Sequence, residues 1–292
     1  MGTRNFGLGS RDMGKAGKIV LDQARENKQI SFSSVATMSQ RFNDFADFAK
    51  SNGVKIMENV NHDLIRSYYS NLIERGLSTS TIHNSISAVN RVLEMATGGK
   101  WEKLTASRDL FAQHRSFVRT QVADGLNRQK VSSAVDALKE AGLVRAAAVV
   151  ELARDLGLRE REASLLHIAD AAREAARTGQ VTIGAGTKGG QIRVVEASDR
   201  AKETLTRLSE SFKTLLHAGE TYKSFVSGEI RQSREILKEH QISRIHELRA
   251  AFAQEKYAVL RAAGESDKDS RAAVSEDLGH HRIEVTNSYI AR

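Results

Sequence analysis

A chain of 292 residues, 40% hydrophobic and 27% charged, is long enough for two domains or one large one, each with a substantial core. No apolar run approaches the roughly 20 residues of a membrane span, and the absence of cysteine excludes disulfides, thiol nucleophiles and cysteine-ligated zinc. A formal net charge of +8 points to a polyanionic partner, because each phosphate met by Lys or Arg releases a condensed counterion.

The opening stretch, MGTRNFGLGSRDMGKAGK, is a short Gly-rich basic tail without the apolar segment of a secretory signal, so a cytoplasmic protein is expected. A helix is predicted from Ala16 to Asn27. After Ser33 or Ser34 as N-cap, Val35, Met38, Phe42, Phe45 and Ala49 recur at spacings of three and four until Asn52-Gly53, the pattern of an amphipathic helix. Leu64, Ile65, Tyr68, Tyr69, Leu72 and Ile73 form the next stripe, closed by Gly76. Ile82, Ile86, Val89 and Leu93 form another, closed by Gly98-Gly99. Four helices follow from this, with their aromatics assigned to the core. From Lys100 to about Lys130 the periodicity weakens and charge rises, as in a linker.

Val131, Val135 and Leu138 then line one helix, and Val149, Leu152 and Leu156 a second that ends at Gly157. In DLGLREREASLL, Arg159 opens a new helix with Glu162 three residues on. The guanidinium fork so braced suits a phosphate, although a surface salt bridge would look the same, and Arg161 is a competitor for the role. Val181 to Ile183 and Gln191 to Glu196 read as a hairpin around a Gly-rich turn that carries Lys188. Taken alone, Lys188 is a solvated turn residue, and the spacing is not that of a phosphate-binding Walker loop. After Ser198 the chain returns to helix, with Leu205, Leu208, Phe212 and Leu215 as its stripe. In SRIHELRAAFA, His246 and Arg249 stand three apart and share a helix face, either addressing one phosphate or forming a chance surface pair. The chain ends LGHHRIEVTNSYIAR, in which Tyr289 follows His280 by nine residues. A phenol is a weak nucleophile until a base and a cationic surround assist it, which His246 and two arginines could supply.

In this order, Gly157-Leu158-Arg159-x-x-Glu162, Lys188 in a β-turn, His246-x-Leu248-Arg249, and Leu278-Gly279-His280 before Tyr289, the sequence resembles the tyrosine recombinase (phage integrase) family. These motifs span the chain from Lys130 onward, and the helices of the first hundred residues look like the family's core-binding domain. The resemblance implies a mainly α fold with a small β-hairpin. A four-helix, SAM-like core-binding domain would occupy residues 1–112 and a mixed α+β catalytic domain residues 113–292, the two clamping duplex DNA. It further implies that Tyr289 attacks a phosphodiester to give a 3′-phosphotyrosyl link and a free 5′-hydroxyl. Arg159 and Arg249 would stabilise the transition state and Lys188 would protonate the leaving oxygen. His246 would take the tyrosine proton or bind phosphate, His280 would donate to a non-bridging oxygen, and Glu162 would brace Arg159. His281 is read as a bystander. No cofactor and no metal are expected, since the protein itself supplies the cations; the partners would be duplex DNA with specific sites and further copies of the chain in a tetramer, at the nucleoid.

Three departures from the family pattern stand out. Arg193 leads into Val194-Val195-Glu196 where relatives continue Val-Pro-Leu. Only three residues follow Tyr289, so subunits are expected to couple through some surface other than a trailing helix. No arm-type DNA-binding domain is expected before the bundle, given only the short basic tail there. A type IB topoisomerase uses nearly the same residues, and a non-catalytic DNA-binding accessory protein could share the fold; these are the alternatives.

Overall fold

The computed structural model describes residues 4–110, 126–280 and 283–290. The chain divides into two compact units, Met1–Ser116 and Phe117–Arg292, each with its own apolar core.

The first unit is a bundle of α1 (Met13–Glu26), α2 (Phe32–Ser51), α3 (His62–Glu74) and α4 (Thr79–Ala96), followed by the short α5 (Ala106–Asp109). The four longer helices start alike. Asp12, Ser31, Asn61 and Ser78 adopt extended backbone, and each side chain accepts from an amide two or three residues into the helix. The cap of α2 is thus Ser31, not Ser33 or Ser34: its Oγ accepts from Ser34 N at 3.2 Å, and Ser33 and Ser34 already lie inside the helix. The predicted stripes face inward, with Phe42, Phe45, Tyr68, Ile86 and Leu93 fully buried. Gly17 allows α1 and α2 to touch, since a Cβ there would lie 2.3 Å from the Phe42 ring.

Two stretches without hydrophobic periodicity prove to be ordered parts of this unit. Asn5 is buried and donates to Ser10 O, while Glu58 accepts from the Asn5 and Phe6 amides, so the chain around Asn5 is tied down, and α1 begins at Met13. The expected linker beyond Lys100 is likewise held at its start. Asn90 donates to Leu104 O at 2.7 Å and accepts from Trp101 Nε1 and Leu104 N, and Leu104 and Leu110 join the core. The rest of that linker, residues 111–125, lies outside the described residues.

The second unit begins with α6 (Arg128–Glu140) and α7 (Val144–Asp155), then α8 (Glu160–Leu165) and α9 (Ile168–Thr178). Strands β1 (Gln180–Ile183) and β2 (Arg193–Glu196) pair antiparallel, with Val181 opposite Val195 and Ile183 opposite Arg193 on the buried face. Helix α10 (Asp199–Ser211) is shorter than its stripe suggests. Phe212 turns to extended backbone, and Leu215 reaches the core from the loop beyond. A helical stretch follows, α11 (Tyr222–Phe225) and α12 (Arg231–Glu239) joined through a π segment at Val226–Ile230. Then come α13 (Ile245–Ala262), α14 (Asp267–Asp277) and the short α15 (Ile283–Thr286). Helix α7 is buried along nearly its whole length and packs against α13, which gives the unit a rigid centre. The architecture is the expected one, mainly helical with one small antiparallel sheet. Among the described residues, no helix is long and apolar enough to cross a membrane.

Candidate active site

The site forms where three chain segments meet in the second unit: the α7–α8 junction, the first turn of α13, and the run from the end of α14 to Tyr289. Gly157 ends α7 with a left-handed backbone, φ +61°, and a Cβ there would stand 2.4 Å from the Phe252 ring of α13. That close approach brings its carbonyl to Arg249 Nη1, which donates to it. Arg159 then takes the N-cap position of α8. Glu162, on the first turn, accepts from the Arg159 amide at 2.8 Å and from its Nη1 at 2.6 Å, so backbone and side chain of one arginine are fixed by one carboxylate.

Arg249 has no exposed surface. Its Nη1 and Nη2 donate to the carbonyls of Gly157 and Leu278, and Glu162 Oε2 lies 3.8 Å away. One turn earlier on the same helix face, His246 presents Nε2 to the Tyr289 hydroxyl at 3.0 Å. The Tyr289 ring lies between two imidazoles, with centroids 5.5 Å from His246 and 5.3 Å from His280, the latter nearly stacked at 30°. Gln254 donates to the Tyr289 carbonyl at 3.0 Å, and Arg271 to Asn287 Oδ1 at 2.9 Å, which holds the segment around the tyrosine.

The electrostatics follow from burial amid arginines. Burial alone would raise the Glu162 carboxyl, but hydrogen bonds and charge from Arg193, then the amide and charge of Arg159, hold it down at about 2. Arg249 is lowered to about 10, first by burial and then by Arg159 and Arg193. His280 falls to about 3, first by burial and then through the charges of Arg249, Arg159, Arg193 and His246. It is therefore neutral at pH 7, and its Nδ1 is buried without a hydrogen-bond partner. From Arg159 and His246 a cleft of about 1090 Å³ opens, where Arg231, Arg234, Lys238 and Arg244 outnumber the carboxylates Glu160 and Glu235. A cleft so lined suits a polyanion.

The structure thus brings together Arg159, Glu162, Arg249, His246, His280 and Tyr289. Lys188 stands apart, exposed at the hairpin tip with no hydrogen bond or ion pair to the others. The tip nevertheless passes close to α8, since a Cβ on Gly186 would lie 2.7 Å from the Arg161 carbonyl. Arg161 itself, the competitor for the first arginine, sits over the Tyr222 ring at 5.6 Å. His281 lies outside the described residues.

Arg193 was not singled out by spacing, yet it is buried in the middle of the site. Its Nη1 and Nη2 pair bidentately with Glu162 at 2.7 Å each, and Nε donates to Asp277 O at 2.7 Å. A signal for it exists in the strand alternation, which puts Arg193 on the same face as Val195. A lone arginine on an apolar strand face needs a buried acceptor.

A tyrosine–histidine pair thus lies beside buried arginines, and a cleft rich in cationic side chains opens from Arg159 and His246. Residues 21–100 match the phage integrase N-terminal SAM-like domain, and residues 118–255 match the integrase domain, a span that contains Arg159, Lys188, His246 and Arg249. Among solved structures, the Tn1549 transposon integrase in complex with circular intermediate DNA is similar with a TM-score of 0.62 at 14% identity, covering 94% of each chain. A lambda integrase dimer bound to a core site gives 0.61 at 15% identity over 94% of this chain and 76% of that one. The XerH site-specific recombinase in a post-cleavage complex gives 0.59 at 16% identity over 94% and 80%. At these identities the likeness is one of fold. No curated protein matches the sequence. The chain belongs to the tyrosine recombinase (phage integrase) family.

Proposed function

We propose that this chain is a site-specific DNA recombinase that cleaves and rejoins strands through a phosphotyrosyl intermediate at Tyr289. The observation that carries the reading is the 3.0 Å contact between the Tyr289 hydroxyl and His246 Nε2, next to the buried arginines. The hydroxyl oxygen attacks the scissile phosphorus while its proton passes to His246. The bond from phosphorus to the 5′-oxygen breaks, and Lys188 gives that oxygen its proton. Arg159 and Arg249 offset the charge that builds on the non-bridging oxygens, and neutral His280 donates a hydrogen bond to one of them. Glu162 keeps Arg159 oriented. In the reverse direction a 5′-hydroxyl from another duplex attacks the phosphotyrosine, so the energy of the broken bond is kept and no nucleotide triphosphate is consumed.

Exchange between two duplexes involves four strands, and each strand needs a tyrosine. The working form is accordingly a tetramer on two specific sites, acting at the nucleoid.

The test is covalent trapping. Sites are first selected from a randomised duplex pool by binding to the wild-type protein, then prepared with a nick that lets the cleaved fragment diffuse away. Wild type should form a denaturation-resistant protein–DNA adduct. Tyr289→Phe should bind the same DNA and form none. An adduct with Tyr289→Phe, or none with wild type on bound sites, refutes the assignment.

A further inference from the structure

Arg193 has no part in the chemistry above, yet it touches both α8 and the end of α14, which carry parts of the site. Its fork takes both oxygens of Glu162, each of which also receives one donor from Arg159. With Arg193 and Arg159 on the same two oxygens, the carboxylate cannot rotate, and the direction of Arg159 is fixed with it. Arg193 Nε holds Asp277 O, and the very next carbonyl, that of Leu278, accepts from Arg249. The chain there is pressed against the guanidinium stem: Gly279 has φ +60°, and a Cβ on it would lie 2.8 Å from Arg193 Cδ. His280 follows immediately.

A buried ion pair is a poor source of stability, because desolvation cancels most of the attraction. Its directionality is another matter, since three bonds from one planar group join β2, α8 and the end of α14. We infer that Arg193 is a positioning residue for strand cleavage, setting Arg159 through Glu162 and His280 through the Asp277 carbonyl. This rests on the function proposed for Tyr289.

The full-length protein should be tested as wild type, Arg193→Gln and Arg193→Lys on the nicked selected site. Two forms of that site are needed, one with an ordinary scissile phosphodiester and one with a methylphosphonate. The methylphosphonate lacks the charged oxygen that the arginines must offset. Misplacement of a catalytic group by about 1 Å costs on the order of 10²-fold, so Arg193→Gln should cleave the phosphodiester that much more slowly while binding DNA normally. On the methylphosphonate the gap to wild type should narrow by about tenfold or more, because less stabilisation is required of Arg159. A deficit equal on both substrates would show a merely structural role and overturn the inference, and so would wild-type rates. Should Arg193→Gln fail to fold, Arg193→Lys keeps the charge and loses the fork; it should show the same substrate-dependent deficit, and wild-type behaviour would overturn the inference. Absence of any adduct with wild type overturns the function itself, and this role with it.

Discussion

Arg159 and Arg161 lie two positions apart at one helix start, and their partners separate them. Arg159 is locked to Glu162 through backbone and side chain, whereas Arg161 rests on an aromatic face. Arg159→Ala should lower adduct formation by about 10²-fold or more, the usual loss when one donor to a developing charge is removed, while Arg161→Ala should leave it within a few fold. Reversal of that order in a single-turnover cleavage assay would reassign the first arginine. His280 offers a second check. Its pKa of about 3, lowered by burial and then by the neighbouring arginines, lies below the ordinary 6.5 of the free imidazole. Between those values the unfolded chain binds a proton that the folded one does not. Its contribution to stability is thus complete above about pH 6.5 and lost as the pH falls toward 3. In an NMR titration of the free protein the His280 ring should remain neutral down to pH 5; a midpoint near 6.5 would mean that the arginines do not surround it as described.

At the level of elements, the site depends on how closely α13 approaches the end of α7. Gly157 decides that distance. A methyl group there meets the Phe252 ring at 2.4 Å and must also be carried at φ +61°, so two penalties act at one position. Gly157→Ala should destabilise the protein by about 1–3 kcal/mol, seen as a lower melting temperature, and should reduce cleavage beyond what the loss of folded protein explains, because the Arg249 anchor moves with the ring. A melting temperature equal to wild type would show that α13 can shift freely. The hairpin is the complementary case. Arg193, the first residue of β2, is tied down at the turn end of the ladder, while Lys188 at the tip is exposed.

For the whole molecule, the proposed function makes assembly on DNA a matter of electrostatics, through the basic cleft, and of stoichiometry, through one tyrosine per exchanged strand. The logarithm of the binding constant should fall linearly with the logarithm of salt concentration, as counterions are released from each phosphate contacted. Complexes with a selected site should reach a mass of four protomers on two duplexes under conditions that give strand exchange, measured by sedimentation. A plateau at one protomer per duplex together with efficient relaxation of supercoiled DNA would favour nicking and closing by a monomer.

How much of this was readable in advance differs by residue. The stripes through Phe42, Tyr68, Val89 and Val149 determined helices and buried faces, because helical periodicity is a local property of the chain. The order Arg159, Glu162, Lys188, His246, Arg249, His280, Tyr289 was legible for a similar reason: each motif is short, and the resemblance orders them. Two readings failed for opposite reasons. Residues 101–104 lack periodicity and looked like a linker but are pinned by Asn90, whereas Phe212 fits a helical stripe but ends its helix. Arg193 was noted only for the residues after it and not assigned to the site, because its partners lie 31 and 84 positions away, at Glu162 and Asp277. The sequence by itself therefore determined the elements and nominated the candidate site residues. Only the tertiary structure decided that Arg193 shares Glu162 with Arg159 and that Arg249 is held by the Gly157 and Leu278 carbonyls, since a buried charge takes whatever partner packing brings within reach.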